Sequence, residues 1–341
     1  MNILSIVARV YRGDLVDTTH IGHIAVVDYT GKLLYYCGNP NRVTFARSSA
    51  KPIQAIPAYE SGAIDAYGIT DKEAAIFSGS HSSESFHTQA VESILLKAGL
   101  SKDYLQCGTH TPFAKYVAKE LRNKGLNIEQ IHNNCSGKHA GMLVTAKYMG
   151  EDLDTYYKPE HPVQRRIIKA ISDVCEYDEN KIALAVDGCG VPVHAMPLCK
   201  FAQGFARLSK PELFDDKRGQ IIRRITDAMT TYPEMIAGTD RLCTDLMKLC
   251  GDRLFAKSGA AAYYAVALKD RGIGLTFKIE DGQTELVYAV VVDVLRKLDV
   301  ITSEELKKLE KYYVLEIKNH RGETVGYTEI EVDLKKTTKM F

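Results

Sequence analysis

Short apolar runs, alternating with polar positions or bounded by turn residues, predict β-strands at both ends of the chain. Near the N-terminus, turn residues around Gly31 separate two such runs, which predicts a hairpin. The last third of the chain adds further strand-like runs and a long apolar segment that predicts a helix over residues 285–298. The predicted strands are residues 23–28, 33–37, 254–259, 262–268, 273–279, 313–317 and 324–330.

Between these strand-rich ends, apolar residues recur at helical spacing and predict a series of helices. One short apolar run, residues 182–186, is predicted as a buried strand. We therefore expect an α+β fold in which both chain ends build one antiparallel sheet, helices cover it and a helical subdomain is inserted in the middle. The α/β part should cover about residues 1–60 and 250–341, and the helical part about 61–249, of a single domain.

The composition is typical of a soluble globular protein. A formal net charge of +1 over 341 residues gives no electrostatic basis for binding nucleic acid or an anionic membrane, and no apolar run is long enough to span a bilayer. Residues 1–9 lack a basic leader and a cleavage site, so we interpret them as a strand rather than a signal peptide. We expect a cytoplasmic protein whose eight cysteines are buried thiols or metal ligands rather than disulfides.

The first candidate for chemistry is a serine three residues before a lysine, at a predicted helix start. Residues three apart share a helix face, so the Ser48 hydroxyl and the Lys51 amine can lie within hydrogen-bond reach. A serine needs a base to take its proton, and a lysine can be that base when burial and nearby positive charge keep it neutral. The helix start also offers backbone N–H groups to an oxyanion. The competing interpretation is a serine cap beside a solvent-exposed Lys51.

Two further segments fit this pair. The tripeptide Lys257-Ser258-Gly259 lies on a predicted strand, and S-x-x-K followed by K-S-G is the order found in penicillin-recognising serine hydrolases. Lys257 would add positive potential that keeps Lys51 neutral. Ser80 could be a second activated serine paired with Lys257, although its polar surroundings also fit a plain helix C-terminus. The S-D-N element of those hydrolases is absent from the sequence.

Two cysteines in glycine-rich loops, Cys135 and Cys189, predict a zinc site. Two thiolates with a nitrogen donor suit Zn²⁺. The residues themselves leave that donor open: His139 is the ordinary choice, and Lys138 is unusual because its amine must first lose a proton. Asp187 could orient a ligand or a bound water. The alternative is a pair of free cysteines in tight loops.

Taken together, the motif segments resemble the asparaginase II family, that is, the Rhizobium etli-type or class 3 L-asparaginases. The resemblance implies a serine β-lactamase-like fold, a homodimer, and hydrolysis of L-asparagine to aspartate and ammonia. The segments that carry it are Arg47–Gln54, Ser80–Ser82, Cys107–His110, Asn134–Met142, Asp187–Pro192 and Ile279–Gly282.

The resemblance also implies roles for individual residues. It implies two Ser–Lys couples, a Zn²⁺ ion held by two cysteines and a lysine with water in the fourth position, and several substrate contacts. The implied catalytic residues are Ser48, Lys51, Ser80 and Lys257. The implied zinc ligands are Cys135, Lys138 and Cys189, and the substrate contacts are Arg47, Ser49, Asn134 and Asp187.

We therefore predict an L-asparagine amidohydrolase in which neutral Lys51 takes the proton of Ser48 and an acyl-enzyme forms. Sequence does not say whether Ser48 or Ser80 is acylated. One rival is a penicillin-binding or esterase-like serine hydrolase on the same scaffold. The other is a non-catalytic, zinc-stabilised amino-acid-binding protein, which would leave the Ser48–Lys51 spacing unexplained.

Overall fold

The computed structural model describes residues 5–337. Its strands form a nine-stranded and a three-stranded antiparallel sheet. The strands are β1 Ile6–Arg12, β2 Leu15–Asp28, β3 Leu33–Cys37, β4 Val43–Phe45, β5 Ala183–Val186, β6 Pro192–Pro197, β7 Leu254–Gly259, β8 Tyr263–Leu268, β9 Ile273–Ile279, β10 Glu316–Lys318, β11 Thr324–Ile330 and β12 Lys335–Lys336.

The large sheet joins the two ends of the chain, as predicted. Its strand order is β10-β11-β1-β2-β9-β8-β7, and β3 pairs with β2 and with β12. The fourteen-residue strand β2 makes this possible, because its first half pairs with β1 and its second half lies between β3 and β9. The strand predicted for residues 1–9 begins outside the described residues, which start at Ser5. The predicted α+β architecture with one antiparallel sheet from both chain ends is confirmed.

The helices occupy the middle of the chain and part of its last third. Most are short, and α7 is buried along most of its length. The helices are α1 Lys51–Gln54, α2 Ile56–Glu60, α3 Ala63–Ala66, α4 Asp71–Ala75, α5 Ser85–Lys97, α6 Lys115–Asn123, α7 Ser136–Met149, α8 Pro162–Cys175, α9 Leu198–Leu208, α10 Asp216–Thr231, α11 Pro233–Ala237, α12 Leu242–Cys250, α13 Thr284–Lys297, α14 Ser303–Lys308 and α15 Glu310–Tyr313.

Two helices sandwich the large sheet. Neighbouring residues of a strand point to opposite faces, and on β8 the ring of Tyr263 packs on Phe201 of α9 while that of Tyr264 packs on Tyr288 of α13. The close approach of α9 depends on Gly274, where an added Cβ would come within 1.8 Å of a backbone oxygen of α9. Since Lys257 pairs with Ala265, two residues along β8 from Tyr263, it lies on the α9 face of the sheet.

The small sheet has the order β4-β6-β5, so it links the start of the helical part to a strand from its middle. The prediction that residues 182–186 form a buried strand is wrong about burial. β5 is an edge strand, and Leu184 and Val186 are 43% and 73% exposed. Its position at the edge of the sheet explains the exposure, which an apolar run in a sequence does not reveal.

Within residues 5–337, no helix is both long and apolar enough to cross a lipid bilayer.

Candidate active site

The segment around Ser48 follows strand β4 and opens the first helix. Residues Arg47–Ala50 form a 3₁₀ turn that continues into α1, so Lys51 lies one turn after Ser48 as the spacing predicts. Arg47 has a left-handed backbone with φ of 51°. A left-handed conformation is costly for a residue with a side chain, and such strain is often found beside functional residues. Lys51 is completely buried, whereas Ser48 remains 9% exposed.

The hydroxyl of Ser80 lies between two lysine amines. Ser80 follows the 3₁₀ turn Ile76–Ser78, and its backbone N–H donates to the carbonyl of Ile236 at 2.7 Å. Its Oγ lies 3.1 Å from Nζ of Lys51 and 2.9 Å from Nζ of Lys257. A side chain from the first helix, one from a loop and one from strand β7 therefore meet at a single point.

Lys51 makes its contacts with Ser80 and two carbonyl groups rather than with Ser48. Its Nζ donates to the carbonyl oxygens of Gly79 at 2.5 Å and Asn134 at 3.3 Å. In the part of the chain that the structure describes, no hydrogen bond joins Ser48 Oγ to Lys51 Nζ. Ser48 and Lys51 are therefore close in the sequence without sharing a hydrogen bond in the described residues. The serine that Lys51 contacts directly is Ser80.

Burial lowers the pKa of both amines. It lowers the pKa of Lys257 to about 7, and the positive charges of Lys51 and Arg241 act in the same direction. Burial also lowers the pKa of Lys51, although the Cys135 thiol opposes this shift. A lysine whose pKa lies near 7 can take a proton from a hydroxyl group at neutral pH. An ordinary lysine does this poorly because it is already protonated at neutral pH.

The four predicted substrate contacts have different surroundings. Arg47 forms an ion pair with Asp187, whose Oδ1 lies 2.9 Å from Nε and 2.8 Å from Nη2 of the guanidinium. Ser49 is fully buried, and its hydroxyl donates to the carbonyl of Lys257 at 2.8 Å, which fixes β7 against the first helix. Asn134 contributes its carbonyl to Lys51. Contact of these residues with substrate stays a prediction.

The two predicted zinc-binding thiols lie side by side. Cys135 precedes α7, Cys189 lies in the loop between β5 and β6, and all eight cysteines are free. The interaction between the two thiols lowers the pKa of Cys189 to about 5 and, together with burial, raises the pKa of Cys135. Nζ of Lys138 lies 3.2 Å from Sγ of Cys189.

Lys138, rather than His139, faces the thiols. Nδ1 of His139 lies 2.7 Å from the hydroxyl of Tyr156, and its Nε2 has no hydrogen-bond partner within residues 5–337. Burial would lower the pKa of Lys138, but Cys189, Cys135 and Asp187 raise it. The amine would therefore have to release its proton when a cation binds.

The residues present fit a zinc ion. Within the described chain, no group of three or more His, Cys, Asp or Glu side chains is arranged to hold a metal. Two buried thiols with an amine 3.2 Å from one of them are nevertheless a sulfur- and nitrogen-rich donor set of the kind that Zn²⁺ prefers. Zinc binding at Cys135, Lys138 and Cys189 stays a prediction that this arrangement accommodates.

A sequence profile described as L-asparaginase II matches residues 8–330. The chain belongs to the L-asparaginase II family. The predicted family is thereby confirmed, and the match includes every candidate site residue. Membership supports a hydrolase. No curated protein matches this L-asparaginase II family chain in sequence.

Solved structures to which this chain shows some similarity include two β-lactamases. One, from Mycobacterium bovis, is 12% identical, covers 81% of this chain and 94% of its own, and has a TM-score of 0.43. A putative β-lactamase from Bacteroides dorei is 11% identical over 81% of this chain and 93% of its own, with a TM-score of 0.41. Simvastatin synthase from Aspergillus terreus is 13% identical over 85% and 90%, with a TM-score of 0.35. At identities and TM-scores this low, these structures carry no argument about the fold or the chemistry of this chain.

Sequence reasoning did not identify two groups at this family member's site. The carbonyl of Gly79 is the nearest hydrogen-bond partner of Lys51, and no side-chain pattern can reveal a backbone acceptor. Arg241 lies close enough to Lys257 to lower the pKa of that amine. In the sequence, Arg241 is only a loop residue before a predicted helix. The one feature that could have marked it as a candidate is its position directly after the turn residues Gly-Thr-Asp.

Proposed function

We propose that this protein hydrolyses the side-chain amide of L-asparagine, releasing L-aspartate and ammonia through a serine acyl-enzyme. The observation that carries the proposal is the contact of one buried hydroxyl, Ser80, with two buried amines at 2.9 and 3.1 Å. Buried lysines without a carboxylate partner are costly, so the convergence of two of them on one hydroxyl group favours catalysis over a structural role.

In the proposed reaction, Ser48 attacks the amide carbon while its proton passes to the neutral amine of Lys51. Backbone N–H groups at the start of the first helix stabilise the oxyanion. The C–N bond breaks as a lysine ammonium returns the proton to the leaving nitrogen, which departs as ammonia. A water molecule then attacks the acyl ester, gives a proton to the amine, and restores the serine.

Ser80 takes part by connecting the two amines. Its hydroxyl can pass a proton between Lys257 and Lys51, so that a pKa near neutrality at Lys257 sets the protonation of the pair. The alternative is that Ser80 itself attacks, because both amines contact its hydroxyl. Rapid acid quenching during turnover, followed by peptide mass spectrometry, separates the two by showing which serine carries the aspartyl group.

We further propose that Cys135, Lys138 and Cys189 hold a zinc ion next to this cluster. When bound, the ion supplies positive charge that can orient the amino or carboxylate group of the substrate. Two contacts connect the predicted ligands to the rest of the site. Asp187, whose charge raises the pKa of Lys138, forms an ion pair with Arg47, and Cys135 directly follows Asn134, whose carbonyl accepts from Lys51. We also propose a homodimer, as the family resemblance implies, and, separately from that resemblance, a cytoplasmic location.

Ammonia release from L-asparagine and from L-glutamine, measured with and without a chelator, tests the function. The proposal predicts turnover of asparagine. Acylation by a penicillin without asparagine turnover would support the penicillin-binding rival. Tight asparagine binding without ammonia release would support the non-catalytic binding protein.

A further inference from the structure

Arg241 is a half-buried arginine without an acidic partner in residues 5–337. Three arginines of the described chain have no carboxylate oxygen within 4.0 Å, namely Arg122, Arg223 and Arg241. Arg122 and Arg223 are exposed, so water hydrates their charges, whereas Arg241 is not exposed. Withdrawing a charge from water without a counter-charge is costly. The charge of Arg241 therefore lacks a counter-ion among the described residues.

The groups around Arg241 hold its guanidinium but supply no negative charge. Nη2 donates to the hydroxyl of Tyr288 at 3.3 Å, and the guanidinium carbon lies 5.0 Å from the centre of the Phe113 ring. The backbone is turned into place by two left-handed residues, Gly238 with φ of 100° and Asp240 with φ of 55°. An arginine stacked on a ring and fixed by a hydroxyl group keeps donors available for a carboxylate.

On one side, a continuous set of contacts leads from Arg241 to the catalytic amines. The Phe113 ring that Arg241 covers lies 5.2 Å from the ring of His110, and Nε2 of His110 accepts from the backbone N–H of Asn134 at 2.9 Å. The carbonyl of Asn134 in turn accepts from Lys51. The loop that carries Phe113 therefore connects the guanidinium to the amine beside Ser80.

On the other side, Arg241 is tied to the strand that carries the second lysine. Two residues after Arg241, Sγ of Cys243 accepts from the backbone N–H of Ser258 at 3.1 Å. Ser258 directly follows Lys257, whose pKa the charge of Arg241 helps to lower. The guanidinium thus lies at the same end of β7 as the amine that contacts Ser80.

We propose that Arg241 binds the α-carboxylate of the amino-acid amide substrate and so selects substrates that carry this group. The assignment rests on the proposed amidohydrolase function. Arginine suits it because its planar guanidinium can hold a carboxylate through two parallel hydrogen bonds. The other arginine at the site, Arg47, is already engaged by Asp187, which leaves Arg241 as the arginine of the site whose charge has no carboxylate partner among the described residues.

The test compares Arg241→Met and Arg241→Lys with a matched control, Arg223→Met, which removes the exposed arginine that also lacks an acidic partner. Calorimetric titration with L-aspartate, the expected product, measures carboxylate binding without requiring turnover. We expect Arg241→Met to bind L-aspartate at least about 30-fold more weakly, and Arg241→Lys to show an intermediate loss. Arg223→Met should bind as the wild type does.

Kinetics supply the second readout. For asparagine, KM should rise in Arg241→Met by more than kcat falls, whereas competition by 3-aminopropanamide, which lacks the carboxylate, should change by less than about threefold. A folded Arg241→Met protein with unchanged L-aspartate affinity and KM would overturn the assignment, and so would a wild type that does not bind L-aspartate. A wild type that binds L-aspartate but releases no ammonia would end the amidohydrolase proposal, and the same titrations would still decide the role of Arg241.

Discussion

Two lysines, Lys257 and Lys138, are both buried in the candidate site but have opposite surroundings. Lys257 faces a serine hydroxyl, a carbonyl and other positive charges, and its pKa is lowered to about 7. Lys138 is close to Cys189, Cys135 and Asp187, and these groups raise its pKa despite the opposing effect of burial. The comparison teaches that the neighbouring charges, rather than burial alone, decide the protonation of a buried lysine.

The difference divides the site into two clusters. We call the group of Lys51, Ser80 and Lys257 the amine–hydroxyl cluster, and that of Cys135, Lys138 and Cys189 the thiol cluster. The first is suited to moving protons near neutral pH. The second is suited to holding a cation that displaces the proton of Lys138.

Removing Lys257 should have the largest effect. We expect Lys257→Met to lower kcat for asparagine by about 10³-fold, because the amine–hydroxyl cluster loses a group that is poised near neutrality. The matched control is Lys278→Met, since Lys278 is also buried and donates to carbonyl groups of its own region, including that of Ala261 at 2.9 Å. The control should retain activity within a few-fold. Steady-state ammonia release and circular dichroism on both variants are the measurements, and a Lys257→Met enzyme with near-wild-type kcat would remove the lysine from the mechanism.

Changing a thiol should affect the other cluster. We expect Cys189→Ser to weaken zinc binding by at least about 100-fold, because a hydroxyl group is a poor replacement for a thiolate ligand. Competition with a zinc-sensitive chelating dye measures the affinity. Cys175→Ser is the control, because that thiol is equally buried but lies elsewhere. Equal zinc affinity in wild type and Cys189→Ser would show that the thiols do not bind the ion.

The pH profile should show a smaller and graded effect. Lys257 is neutral only above its lowered pKa of about 7, so the reactive form is present at higher pH and is lost as the pH falls. We expect kcat/KM to fall about tenfold per unit below this value and to level off above it. A profile that is flat across neutrality, in an enzyme shown to stay folded, would mean that the amine–hydroxyl cluster does not titrate as proposed.

Much of the scaffold could be predicted because local patterns determine it. Alternating apolar runs identified β7, β8 and β9, and the strand that carries Lys257 was expected as a strand. The exposure of Val186 could not be predicted, since it depends on which elements cover a strand, and a sequence window contains no information about that.

Within the site, the spacing of Ser48 and Lys51 predicted the helical turn that carries them but not the contacts of their side chains. Ser48 and Lys51 do lie one helical turn apart, yet the Lys51 amine turns toward Ser80 and two carbonyl groups. That choice depends on loops from distant parts of the chain, which meet only in the folded protein. The same reason explains why Arg241 gave no signal: its significance is the absence of an acidic partner, which only the structure reveals.

Ammonia release from L-asparagine by the Ser48→Ala variant tests the central claim most directly. If a serine beside buried amines attacks the amide, the variant should keep its fold, by circular dichroism and melting temperature, and lose at least about 10³-fold of the wild-type kcat. Turnover within a few-fold of the wild type would contradict the account and remove Ser48 from the mechanism.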